Sequence, residues 1–241
     1  MAYELYYWPF IPGRGEPVRL TFAFGGVAYR DVAREAPSPK EGAEILVSFN
    51  EGERSEGHPF APPYLIVDED GERTLHWQSA HLCDLVARRE GLVDEANASY
   101  AASLVLTLAD LMDEAHDTHH PLATGLYYEE QKDAAKVRAG YFWENRIPKY
   151  LGFFEHHASD AGTLVGEATS HVDAIAWHVL EGLHYAFPKA MASYAGRWPK
   201  LEALRACVPQ HPSLGAYIAS DDRMAFNEQG IFRRYPELDD A

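Results

Sequence analysis

The sequence predicts an α/β N-terminal domain over residues 1–90 and an all-α helical bundle over residues 98–241. Three observations carry this. Short aromatic and aliphatic runs bounded by Gly and Pro occupy the first part, as strands do. Beyond Ser99 the apolar period becomes helical and no strand signal competes. Between the two lies Gly91 to Ala98, short and acidic, which reads as a linker.

Tyr3 to Trp8 is the first strand. A turn rich in Pro and Gly follows from Pro9 to Gly15. Pro17 suits the first turn of a helix, where its missing N–H costs nothing, and the Gly25-Gly26 pair suits its C-terminal end. Tyr29 to Val32 is a second strand. Ala36 to Phe60 is polar and weakly patterned, and reads as irregular with at most one helical turn. Tyr64 to Val67 and Thr74 to Trp77 flank Asp70-Gly71, a hairpin turn pair. Ser79 then opens a helix ending near Arg89.

In the second half, Leu104, Leu108, Leu111, Met112 and Ala115 share one helix face. Ala134, Val137, Tyr141 and Phe142 begin another helix, which Pro148 is expected to kink. Val172, Ile175, Ala176, Val179, Leu180 and Leu183 mark a third, opened by a capping box at Ser170 and Asp173. Pro199 to Val208 and Pro212 to Ala219 fit two shorter helices. The tail, Met224 to Tyr235, carries Phe226, Ile231, Phe232 and Tyr235, too apolar for a disordered end. It is expected to fold back, either beside the interdomain cleft, where it would shape the pocket, or as a seal on the helical domain away from it.

The chain has 241 residues, 46% hydrophobic and 24% charged, with a net charge of −16. That charge repels nucleic acid and anionic membrane surfaces. No apolar run is long enough to span a bilayer. The start of the sequence lacks a basic region followed by an apolar run, so a cytoplasmic protein is expected. Cys83 and Cys207 stand far apart, which argues against a disulfide framework, a zinc ribbon and a dithiol centre. Asp113, His116, Asp117 and His120 share a helix face beside His119. No second ligand-bearing helix answers them, so no metal is expected.

Five segments together resemble the soluble glutathione transferases of the sigma, pi and mu kind. They are Tyr3 to Pro9; Gly13-Arg14-Gly15-Glu16-Pro17-Val18-Arg19; Pro62-Pro63-Tyr64-Leu65; Trp77-Gln78-Ser79-Ala80; and Ser170-x-x-Asp173. The resemblance implies a thioredoxin-like N-terminal domain that binds glutathione, and attack of the glutathione thiolate on a hydrophobic electrophile. It implies a homodimer, with glutathione as co-substrate and no separate cofactor. By the same likeness Tyr7 is the catalytic hydroxyl, with Tyr6 its rival. Neighbours on a strand face opposite sides, so only one can point at the site. Gln78 and Ser79 would hold the γ-glutamyl end, and Trp8 and Arg14 are further glutathione contacts. One of Pro62 and Pro63 would be cis: the register of Tyr64-Leu65 favours Pro63, whereas the need for an N–H on the preceding residue favours Pro62. Phe10, Ile11, Met112 and His116 are placed in the second-substrate pocket. The sequence departs from the family in a longer loop after Tyr7, a longer hairpin, and no evident Trp and Lys for the glycyl carboxylate.

The chemistry explains why a hydroxyl is wanted. A free thiol has a pKa of about 8.5, so little thiolate exists at neutral pH. A donor aimed at the sulfur stabilises the anion by about 1.4 kcal/mol for each unit of lowered pKa. A helix start at Ser79 offers free N–H groups to an anionic carboxylate. A protein that kept the scaffold without the activity is the alternative reading.

Overall fold

The computed structural model describes residues 1–52 and 55–239. A four-stranded mixed sheet of order β2-β1-β3-β4 forms the N-terminal domain, from β1 (Ala2–Tyr6), β2 (Arg30–Asp31), β3 (Tyr64–Glu69) and β4 (Glu72–Trp77). β1 runs parallel to β2 and antiparallel to β3. Helices α1 (Glu16–Gly25), α2 (Pro39–Asn50) and α3 (Ser79–Arg89) complete it. Asp70 (φ 54°) and Gly71 (φ 90°) make the expected two-residue turn between β3 and β4, whose left-handed pair matches strand twist. Gly26 closes α1 in the left-handed region (φ 61°).

The segment around α2 corrects the expected irregular stretch. Ser38 accepts a bond from the Glu41 N–H while Pro39 starts the helix, and Leu46 and Phe49 are buried against Tyr6 and Tyr64. The signal was Ser38-x-x-Glu41, hidden by the polar composition around it. Residues 53 and 54 of that stretch lie outside the described residues.

The second domain begins earlier than expected. α4 spans Glu95–Asp117, so Ala98 is already buried in it and the connection shrinks to residues 90–94. Its buried face holds the five expected residues. α5 (Lys132–Tyr141) forms, but its buried face is Ala135, Ala139 and then Phe142. Val137 and Tyr141 are exposed. Small alanines let this helix approach its neighbours closely, so the larger apolar residues misled. Where Pro148 was expected to kink the helix, the backbone upstream of it forms a π-helical segment, Phe142–Arg146, in which the Ile147 N–H reaches the Phe142 carbonyl. Pro148 has no N–H to give residue 144, and the widened turn passes round the gap. α6 (Ile147–His157), α7 (His171–Ala186), α8 (Pro188–Ser193), α9 (Pro199–Cys207) and α10 (Pro212–Ile218) follow. The short α8 had no expected counterpart. Among the described residues no helix is long and apolar enough to cross a membrane.

The domains join through α1 packed on α7 and α3 packed on α4. Within that seam Arg19 is fully buried. Its Nε donates to Asp31 Oδ2 at 2.7 Å and it pairs with Glu16 Oε2 at 3.6 Å, while Tyr217 Oη donates to Glu16 at 2.9 Å.

Candidate active site

Sheet register assembles one end of the site. Tyr6 lies opposite Tyr64, and Tyr64 lies opposite Trp77. The next residue out on each strand is therefore Tyr7, Pro63 and Gln78, three neighbours at one edge of the sheet. The peptide between Pro62 and Pro63 is cis, so Pro63 is the cis residue. Tyr6 turns the other way, into the cluster with Phe49, and its hydroxyl donates to Glu4 at 2.8 Å.

The turn at Gly13–Gly15 closes over Tyr7. A Cβ at Gly13 (φ 42°) would fall 2.2 Å from the Tyr7 hydroxyl, and one at Gly15 would fall 2.5 Å from its Cδ1. That contact brings the Arg14 N–H to the Tyr7 Oη, to which it donates at 2.8 Å. Tyr7 is 5% exposed. Burial raises its pKa, while the Arg14 N–H and the Arg19 guanidinium, 5.8 Å from the ring centroid, pull the other way. The net direction is upward, so Tyr7 keeps its proton and its O–H remains able to donate.

The Arg14 carbonyl accepts a bond from Ser79 Oγ at 2.6 Å. One peptide segment thus links Tyr7 to the start of α3. Gln78 precedes that helix at φ 76°, a left-handed value that a residue with a Cβ adopts only at some cost. Ser79 is the first residue of α3 and Gln78 occupies the cap position without a side-chain cap bond, so the first N–H groups of α3 have no partner within the helix. The Arg14 guanidinium pairs with Asp113 on α4.

Comparison with known proteins supplies the context. The family model of the glutathione S-transferase C-terminal domain matches residues 116–221. The sigma class GST of Fasciola hepatica superposes with a TM-score of 0.68 at 21% identity, over 93% of this chain and 98% of that one. Prostaglandin synthase D of Nilaparvata lugens gives 0.66 at 18%, over 92% and 98%. The monomeric glutathione S-transferase Na-GST-3 of Necator americanus gives 0.64 at 20%, over 94% and 100%. No curated protein matches by sequence. The chain has the glutathione S-transferase fold.

On the helical side of this glutathione S-transferase scaffold, Met112 is buried. With Arg14, Ser79, Val105, Ala109 and Ile175 it lines a cavity of about 20 Å³. His116 lies one turn beyond Met112, half-buried. Phe10 and Ile11 sit in the loop after β1, where Phe10 is 43% exposed. Trp8 packs beside the Tyr6 cluster, its ring 6.1 Å from that of Phe10. The structure thus links Tyr7, Arg14 and Ser79 by hydrogen bonds, places Met112 around the same small cavity as Arg14 and Ser79, and sets Pro63 and Gln78 at the strand ends beside Tyr7. The tail touches both sides: Asn227 Nδ2 donates to the Phe10 carbonyl at 3.0 Å, and the Ile231 carbonyl accepts at 2.9 Å from Nε2 of His119, whose ring is 4.9 Å from that of His116. Ile231 and Phe232 are themselves buried in the helical core.

Sequence reasoning missed Asp113 as the partner of Arg14 and Gly13 and Gly15 as the mould around Tyr7. Asp113 stood in view one residue after Met112; the glycines were visible as a G-x-G turn. A larger apolar cavity, about 320 Å³, lies among α6 to α9 against Leu180, Met191 and Trp198, far from the strand ends. The strand-end geometry, not cavity size, marks the site.

Proposed function

We infer that the protein is a glutathione transferase that joins the glutathione thiolate to a hydrophobic electrophile. The observation that carries this is the bond from the Arg14 N–H to Tyr7 Oη. It occupies a lone pair of the phenol and leaves the O–H free to donate to a sulfur at the sheet edge. The thiol proton leaves to solvent, the sulfur lone pair forms the new bond, and the electrophile releases its leaving group or accepts a proton. A Tyr held protonated by burial lowers the thiol pKa without acting as a base.

Gln78 and Ser79 with the open N–H groups of α3 suit the γ-glutamyl carboxylate, as a helix start favours an anion. Trp8 and Arg14 flank it. Pro62 has no N–H, so it can offer only its carbonyl to the cysteinyl part. Phe10, Ile11, Met112 and His116, with the tail beside them, would shape the electrophile pocket. Glutathione serves as co-substrate and no cofactor is required. A cytoplasmic location fits this chemistry.

Tyr7→Phe should raise the apparent pKa of bound glutathione and cut turnover of an aromatic electrophile, with glutathione affinity little changed. A thiol pKa that does not move removes Tyr7 from this role. Binding of glutathione without turnover of any electrophile or peroxide points instead to a non-catalytic protein of this fold.

A homodimer is part of the same reading. Phe60 (88% exposed) and Trp77 in the N-terminal domain, and Tyr100 and Leu106 on α4, present apolar surface that a second copy could cover. Sedimentation at micromolar concentration should give twice 27.0 kDa, and a monomer ends this part.

A further inference from the structure

At the C-terminal end of α4 three histidines meet. One ring nitrogen from each of His116, His119 and His120 lies within 4.8 Å of those of the other two. Their ring centroids are 4.8 to 4.9 Å apart. His116 lies in the last turn of α4, and His119 and His120 follow its end, where the His119 N–H donates to the His116 carbonyl at 3.2 Å and folds them back beside it.

The hydrogen bonds decide which nitrogens are available. A carbonyl only accepts, so His119 Nε2 must carry the proton it gives to Ile231. The lone pair is then on His119 Nδ1, which is buried and has no hydrogen-bond partner. His119 is 1% exposed, so no bulk water answers that nitrogen. Around His120, the amide of Gln131 gives its hydrogens to the Ala123 and Leu126 carbonyls. His120 Nδ1 lies 3.2 Å from Gln131 Nε2 and 3.1 Å from the Leu126 carbonyl; with both amide hydrogens on carbonyls, Nδ1 donates to Leu126 and Nε2 keeps the lone pair. Two of the three rings therefore donate one N–H to a backbone carbonyl, as metal-bound histidines do.

We propose that His116, His119 and His120 bind a zinc ion through three neutral imidazoles, with the fourth position left to water. Zinc at about 2.0–2.1 Å from each nitrogen in a tetrahedron sets the nitrogens about 3.4 Å apart. His119 is fixed by the tail, and small rotations of the half-buried His116 and His120 bring the other two in. Of the carboxylates first in view on this face, Asp113 pairs with Arg14, and Asp117 lies between Arg138 at 3.7 Å and His116 Nδ1 at 4.0 Å. His119, which lay off the face read from the sequence, supplies the ligand that Asp113 does not.

A histidine's ordinary pKa of about 6.5 leaves an imidazole mostly neutral at physiological pH, so little proton displacement is needed for it to bind a metal. Arg14 and Arg233 also bear on the cluster. Among the described residues Arg233 has no carboxylate partner; its N–H groups go to the Gly230 and Gln229 carbonyls. A site with cations nearby and no carboxylate ligand does not suit Mg²⁺ or Ca²⁺, which need oxygen donors and negative charge. It suits a borderline ion held by nitrogen donation. Bound there, zinc would pin the end of α4 to the tail through Ile231 and to the following loop through Leu126.

The test is titration of the full, chelator-treated chain with zinc chloride by calorimetry, and with cobalt(II) by visible absorption. The expected result is one ion per chain, intense tetrahedral cobalt bands, and a raised melting temperature. Mg²⁺ and Ca²⁺ should give none of these. His116→Gln and His120→Gln should each weaken binding on the order of tenfold or more, while His157→Gln, in a separate surface pair on α6, should leave it unchanged. His116 and His120 are half-buried, so these variants should melt like the parent without metal. Absence of one-to-one binding, octahedral cobalt bands, or an affinity untouched by both variants overturns the proposal.

Discussion

Tyr7 is held by what surrounds it more than by its own bonds. The Gly13–Gly15 turn lies flat on its ring, and a methyl group at Gly15 would stand 2.5 to 2.9 Å from Tyr7 Cδ1, Cγ and Cβ. Gly15→Ala must therefore move either the ring or the turn. A shift of about 1 Å at a reacting group costs on the order of a hundredfold in rate. We expect kcat/KM with glutathione and an aromatic electrophile to fall by that order, and a variant within about twofold of the parent would show that the turn yields without cost to Tyr7. At this scale the sequence was informative where a local rule applied. Strand alternation set Tyr6 and Tyr7 on opposite sides, and the Tyr64-Leu65 register favoured Pro63 over Pro62 as the cis residue. It was silent on the Ser79 hydroxyl, because a bond to Arg14, 65 positions away, leaves no mark in local pattern.

The elements follow their end signals more faithfully than their apolar content. α7 starts at the box formed by Ser170 and Asp173, and Asp173 also takes the Leu164 N–H at 2.7 Å and the Ser170 N–H at 2.7 Å. Asp173 is fully buried. Asp173→Ala strands several buried donors, each costing about 1–3 kcal/mol, and removes half of a cap. We expect a loss of at least about 3 kcal/mol in urea unfolding, and a loss below about 1 kcal/mol would mean that water replaces the carboxylate. The same kind of signal marked α3 and, unread, α2 at Ser38 and Glu41. α5 failed for the opposite reason: its buried side is alanine, and Val137 and Tyr141 drew attention to the wet side. The π-helical segment was legible only as trouble near Pro148, since a ring that cannot donate does not say where the backbone will widen.

Across the whole molecule, two imidazoles near the domain seam tie stability to pH. Burial pushes His171 down to about 4 and His178 down to about 3, whereas in the unfolded chain each titrates near about 6.5. The unfolded state therefore takes up protons first, so folding is unpenalised above about pH 6.5 and loses ground as pH falls. Well below that value the loss is about 1.4 kcal/mol per pH unit for each imidazole. Urea midpoints measured from pH 7 to 5 should decline, and His178→Phe, packed against Phe226 and Phe232, should flatten the decline. An equal slope in that variant would place the acid sensitivity elsewhere. The two-domain plan was readable from the change of period, but the seam was not, because Arg19, Asp31 and Tyr217 meet only in three dimensions. Position 14 sits at that junction in an unusual way. Its peptide N–H serves Tyr7 and its carbonyl serves Ser79, while its side chain makes one half-exposed ion pair with Asp113, a kind of contact worth little. The atoms of residue 14 that hold Tyr7 and Ser79 are the ones that nineteen of the twenty amino acids share, so this part of its work is indifferent to the side chain, with proline the one letter it must refuse. The grammar of the site is written instead in the glycines on either side, where the absence of a side chain is the message.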